Sequence, residues 1–146
     1  MITIANAEQM HQLGVQLSAH LRAGDLVLVN GPLGAGKTVL AQGVGEGLGI
    51  TGVTSPTFVI ARIHKGPLPL IHVDAYRLLE GGNAAAFLDD LDLDSPREGA
   101  VTVIEWGGAE SARLSEERLE ITIDRRSDIR EVTFNKVGAR WQEFSV

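Results

Sequence analysis

Eight consecutive residues carry the most specific chemistry in the sequence. Gly31-Pro32-Leu33-Gly34-Ala35-Gly36-Lys37-Thr38 has the spacing Gly-x-x-x-x-Gly-Lys-Ser/Thr of a phosphate-binding loop. In such a loop, glycines let the backbone wrap tightly, and successive N–H groups converge on an anion. The following helix N-terminus adds a partial positive charge. Lys37 places a point charge on the β- and γ-phosphates of a triphosphate, and the Thr38 hydroxyl is a hard oxygen ligand suited to Mg²⁺. Gly34, Ala35, Gly36, Lys37, Thr38 and Val39 are therefore candidate nucleotide contacts, with Trp106 a further candidate for covering the nucleotide. Only three lysines occur, at 37, 65 and 136, and one of them falls on the lysine of the motif.

Phosphate chemistry of this kind also needs an acid that fixes the metal or the attacking water, usually at the end of a buried strand. Two candidates fit: Asp74 ends Leu68-Pro69-Leu70-Ile71-His72-Val73-Asp74, and Glu105 ends Val101-Thr102-Val103-Ile104-Glu105. Ligands of open α/β sheets bind at the C-terminal ends of strands, where both acids would lie. Lys37, Asp74 and Glu105 form the expected catalytic set, and Thr38 and Glu105 the expected metal ligands. Glu105 would hold the metal, and Asp74 would orient water or Thr38, although the residues alone do not divide these roles. His72 is read as alternating away from Asp74 and as structural. His11, His20 and His64 have no metal-ligand spacing, so no zinc site is expected. The hydroxyl-rich Thr54-Ser55-Pro56-Thr57-Phe58 follows the loop and its helix, at the place where phosphate-sensing segments often lie.

The elements that must position these residues follow from periodicity. Asn6 can cap a helix, with Gln9 three residues on. Met10, Leu13, Leu17 and Leu21 then recur at helical spacing, up to a stop at Ala23-Gly24-Asp25. Leu26–Val29 reads as a buried strand directly before the loop. Leu40, Val44 and Leu48 mark one face of the helix after it, and Gly49 is a plausible stop. Phe58–Ile63 and Leu70–Val73 suggest a hairpin around Lys65-Gly66-Pro67. Asn83–Leu91 and Ala109–Leu114 suggest short helices, and 89–98 an acidic surface loop. Val101–Ile104 is a third buried strand, and Leu119–Ile123 with Arg130–Phe134 a C-terminal hairpin. Alternating strands and helices imply an α/β domain over 1–146 with a parallel sheet flanked by helices. Glycines cluster at 31–36, 43–52, 81–82 and 107–108, a first pointer to close backbone approach at a site.

Composition limits the alternatives. The chain has 146 residues, 44% of them hydrophobic and 22% charged, a balance that supports a globular core without staples. With no cysteine, disulfides, thiol catalysis and cysteine-ligated metals are excluded, and a reducing compartment fits. The net charge of −6 opposes autonomous binding to a nucleic-acid backbone. The N-terminus lacks a secretory pattern and the apolar runs fall far short of a membrane span, so a cytoplasmic location and no membrane partner are expected. Guanine specificity is not expected, because Asn135-Lys136-Val137-Gly138 lacks the Asp of an Asn-Lys-x-Asp reader. A dinucleotide site would need Gly-x-Gly-x-x-Gly after Leu26–Val29. A small-molecule kinase and a nucleotide-gated interaction module with negligible turnover stay open. Arg62 and Arg77 could serve a kinase, but no long basic lid segment is present.

Several short stretches, taken in order, carry a resemblance. Gly34-Ala35-Gly36-Lys37-Thr38, Leu48-Gly49-Ile50, Ser55-Pro56-Thr57-Phe58, His72-Val73-Asp74-Ala75-Tyr76-Arg77-Leu78 and Val103-Ile104-Glu105-Trp106 together resemble the TsaE (YjeE) family. These are bacterial ATPases of tRNA threonylcarbamoyladenosine biosynthesis. The likeness runs from about residue 6 to 125. It implies a P-loop NTPase fold whose central, mostly parallel sheet carries antiparallel additions. It also implies slow Mg²⁺-dependent ATP hydrolysis that resets TsaB-like and TsaD-like partners between turnovers, with tRNA reached only through the complex. The family's metal ligands fall on Thr38 and Glu105, its functional aspartate on Asp74 and its tryptophan on Trp106. Val39 departs from the second threonine that many members carry, and 125–146 matches only loosely.

Overall fold

In a computed structural model of the protein, residues 2–31, 36–50, 61–64, 66–74, 99–105, 117–126, 129–142 and 144 are described. Among them the chain builds β1 (Ile2–Ile4), α1 (Ala7–Ser18), β2 (Leu26–Asn30), α2 (Lys37–Gly47), β3 (Ala61–His64), β4 (Leu70–Asp74), β5 (Val101–Glu105), β6 (Arg118–Arg126) and β7 (Ile129–Val137). A 3-10 turn follows at Ala139–Trp141. The strands form one sheet in the order β1-β7-β6-β2-β5-β4-β3. Its four central strands, β6, β2, β5 and β4, run parallel. The outer pairings β1–β7, β7–β6 and β3–β4 are antiparallel. This is the expected α/β architecture, with a parallel centre and antiparallel additions on both sides.

Sequence explains most of these elements. The Asn6 side chain accepts from the Gln9 amide at 2.9 Å, and Gln9 Oε1 accepts from the Ala5 amide at 2.8 Å. The reciprocal pair fixes where α1 begins and satisfies donors that a helix start leaves open. The helix stops at Ser18, earlier than the leucine spacing suggests. The chain tightens there through His20 N–H to Leu17 O and Leu21 N–H to Ser18 O. The Asp25 carboxylate then accepts the Arg22 amide at 2.8 Å, so Leu21 joins the core from a turn. β2 and β5 are buried throughout apart from partly exposed Asn30, and apart from Thr102 and the terminal Asn30 and Glu105 they are apolar, as central parallel strands require. β1 was not expected, because three residues are too few to show a period. It exists because Ile2–Ile4 can pair with Arg130–Val132 of β7. The C-terminal hairpin is as expected but longer, pairing from Arg118↔Val137 to Arg126↔Ile129.

Both helices pack on the sheet face that carries Val27, Val29, Val101, Val103, Leu119, Ile121 and Ile123. Leu13, Leu17, Leu40 and Val44 supply the helix side of this core. The two helices also touch each other through glycine. A Cβ on Gly14 would lie 2.3 Å from Leu40 O, and one on Gly43 would lie 2.1 Å from His11 O. Part of the 43–52 glycine cluster therefore serves helix contact and not a ligand. Trp141 is fully buried in the same core, beside Phe144. The turn that carries Trp141 is tied down by Arg140, which donates to both Asp25 oxygens at 3.0 and 2.9 Å and to His20 O at 2.6 Å. Among the described residues, no helix is long and apolar enough to cross a membrane. The expected helices at 83–91 and 109–114, the loop at 89–98 and residues 58–60 of the first hairpin strand lie outside the described residues.

Candidate functional site

The site is assembled at the C-terminal ends of the parallel strands, beside the start of α2. β2 delivers the chain to Gly31, and α2 begins at Lys37 after Gly36. Gly36 is held at φ 107°, a left-handed conformation that side-chain-bearing residues rarely adopt. A Cβ there would also come within 3.3 Å of Met10 Cε. Among the described residues no side chain caps the start of α2, where a helix leaves backbone N–H groups open to an anion. The Lys37 side chain is buried, and its Nζ donates to Gly31 O at 2.9 Å. The ammonium thus reaches back across the loop from its seventh position to its first. The Val39 side chain packs partly into the core, so a nucleotide contact from this residue would come from its backbone.

Thr38 and Glu105 meet. The Thr38 hydroxyl donates to Glu105 Oε1 at 3.1 Å and lies 3.4 Å from Oε2. Glu105 is itself buried, 5% exposed. Register explains the meeting: Glu105 pairs with Val29 of β2, two residues before the loop. On its other side Glu105 pairs with Asp74 of β4. Both expected acids therefore occupy neighbouring positions at the same edge of the sheet. A hydroxyl and a carboxylate, both hard oxygens on rigid elements, fit Mg²⁺, which takes one or two protein ligands and completes its shell with phosphate and water. Among the described residues, no group of three His, Cys, Asp or Glu side chains is placed to hold a metal. Gly34, Ala35, Trp106 and the 54–58 stretch lie outside the described residues.

His72 needs correction. Positions 72 and 74 of one strand share a face, because the strand period is two; the expectation that they alternate was wrong. His72 is fully buried, and its Nε2 meets Glu105 Oε2. His72 pairs with Val103, two residues before Glu105, and that pairing could not be known before the strand order.

Residues 4–132 match the family described as "Threonylcarbamoyl adenosine biosynthesis protein TsaE". A Streptomyces coelicolor protein named tRNA threonylcarbamoyladenosine biosynthesis protein TsaE is 51% identical over 142 residues, covering 90% of this chain and 93% of the relative. The Bacillus subtilis protein of the same name is 40% identical over 141 residues, covering 94% of this chain and 85% of the relative. A crystal structure of Bacillus subtilis YdiB superposes with a TM-score of 0.79 at 35% identity, covering 97% of this chain and 87% of that one. The phosphate-loop spacing, the Thr38–Glu105 contact and these matches along most of the sequence agree: the chain belongs to the TsaE family, whose proteins take part in tRNA threonylcarbamoyladenosine biosynthesis.

Proposed function

We propose that the protein is a Mg²⁺-dependent ATPase, a single P-loop domain over 1–146, acting as an accessory subunit in cytoplasmic tRNA threonylcarbamoyladenosine modification. In this reading Gly34–Val39 and Trp106 contact the nucleotide. Thr38 and Glu105 hold the metal, and Lys37, Asp74 and Glu105 serve the reaction. The observation that carries it is the Thr38 hydroxyl on the Glu105 carboxylate, which joins the end of the loop to the end of a buried strand. Mg²⁺, when bound, would neutralise charge on the β- and γ-phosphates.

The chain's own residues would do the rest. The loop amides and Lys37 grip the polyphosphate, an electrostatic contribution that strengthens where water is excluded. Glu105 fixes the Thr38 hydroxyl on the metal side, and the neighbouring position of Asp74 suits a group that orients water. The chain would not form the tRNA linkage itself. It would couple hydrolysis to resetting a TsaB-like and TsaD-like pair, and its net charge of −6 suits a subunit that meets tRNA through those partners.

Reconstitution tests this. The chain is added to TsaB-like and TsaD-like proteins, tRNA, ATP and a threonylcarbamoyl donor, and product per complex is counted. The expected result is many turnovers with the chain, and about one without it or with Glu105→Gln. Equal turnover in all three would refute the resetting role. Phosphorylation of an added metabolite would point to a kinase. Partner binding gated by ATP with no hydrolysis would point to a switch.

A further inference from the structure

His72 is the one fully buried imidazole among the described residues, and the mechanism above gives it no task. Its Nε2 faces Glu105 Oε2. Its Nδ1 is buried with no hydrogen-bond partner among the described residues. An ionised carboxylate only accepts, so the nitrogen that faces it must carry the proton. With no partner for it among the described residues, Nδ1 is cheaper to bury as a bare lone pair than as an unpaired N–H. The Glu105 carboxylate is thereby held from two sides, with Oε2 on the imidazole of β4 and Oε1 on the hydroxyl of α2.

We infer that His72 is a positioning residue: its Nε2–H pins one oxygen of Glu105 so that the other stays turned toward Thr38, where a divalent cation would bind. The inference rests on the ATPase reading for the cation, but the contact itself stands on geometry alone. Water cannot easily replace this donor, because His72 is 0% exposed. Donors behind a metal-binding carboxylate set its orientation, and losing one typically weakens metal affinity about 10–100-fold.

The test compares the full-length parent, His72→Leu and His72→Gln by fluorescent-ATP binding, first in EDTA and then across a MgCl₂ titration. Leucine fills much of the space and cannot donate; glutamine keeps an N–H₂ donor. In EDTA all three should bind within about threefold of one another, because the loop is untouched. The Mg²⁺ concentration at half-effect should rise about 10–100-fold for His72→Leu and stay within about threefold of the parent for His72→Gln. An unaltered Mg²⁺ dependence in His72→Leu overturns the inference, as does a glutamine variant as impaired as the leucine one. Should His72→Leu fail to melt cooperatively, the glutamine variant and the histidine ¹⁵N spectrum of the parent decide. That spectrum should show the proton on Nε2, and a bare Nε2 overturns the inference. If the parent itself binds no ATP, the ATPase reading fails instead, and the spectrum still reports on the His72–Glu105 contact.

Discussion

In the proposed ATPase reading, the Thr38–Glu105 pair and Lys37 serve two functions that single substitutions should separate. Lys37 is buried with its Nζ on Gly31 O, and in that reading it grips phosphate whether or not metal is present. Lys37→Ala is expected to weaken ATP binding by at least tenfold even in EDTA, measured by calorimetry. Thr38→Ala removes a metal-side oxygen and the donor to Glu105 but leaves the amides in place. It should bind ATP in EDTA within about threefold of the parent and lose about 10²-fold in Mg²⁺-dependent hydrolysis, the scale of removing one preorganised contact to the transition state. The reverse pattern, with Thr38→Ala failing to bind and Lys37→Ala failing only to hydrolyse, would invert the assignment. Lys37, Thr38 and Glu105 were legible in the sequence as candidates, because a motif and a strand end are both local. The contact of His72 with Glu105 was not legible, because the two residues lie 33 positions apart.

At the scale of elements, α2 carries Thr38, the proposed metal ligand, on its first turn, and α1 packs against α2. The close approach depends on small residues: the Cβ of Gly43→Ala would meet His11 O at 2.1 Å. Helix propensity alone would favour alanine by about 1 kcal/mol. The clash should more than reverse this and destabilise by about 1–3 kcal/mol, measured by urea unfolding. Gly99→Ala is the control, because no described residue lies within 4 Å of its Cβ and its effect should stay within about 0.5 kcal/mol. A Gly43→Ala protein as stable as this control would show that the helices separate freely. Gly14 and Gly43 were visible as glycines but not as a contact, since their spacing within each helix gives no hint of the partner helix. Gly36 was legible, because the loop motif itself demands it.

At the scale of the molecule, the last stretch of chain closes the core that the site stands on. Trp141 is fully buried, with the Arg140 guanidinium 4.3 Å from its ring centroid and bridged to Asp25. Trp141→Ala should cost about 3–5 kcal/mol and lower the melting temperature strongly. ATP affinity in the fraction that stays folded should change little, because no site residue is removed. A melting temperature equal to the parent's would show that this turn is dispensable. By itself the sequence determined the phosphate loop, its flanking strand and helix, the buried strands that end in Asp74 and Glu105, and the hairpin at the C-terminal end. These rest on local spacing, where backbone geometry dictates residue type within a few positions. Only the tertiary structure decided that β5 lies between β2 and β4, which sets Glu105 beside Asp74 and against Thr38 and His72. It alone paired Ile2–Ile4 with β7, Gly43 with α1 and Arg140 with Asp25. Strand order and helix contact join residues far apart in the chain, and such partners are selected by the shape and burial of the whole core.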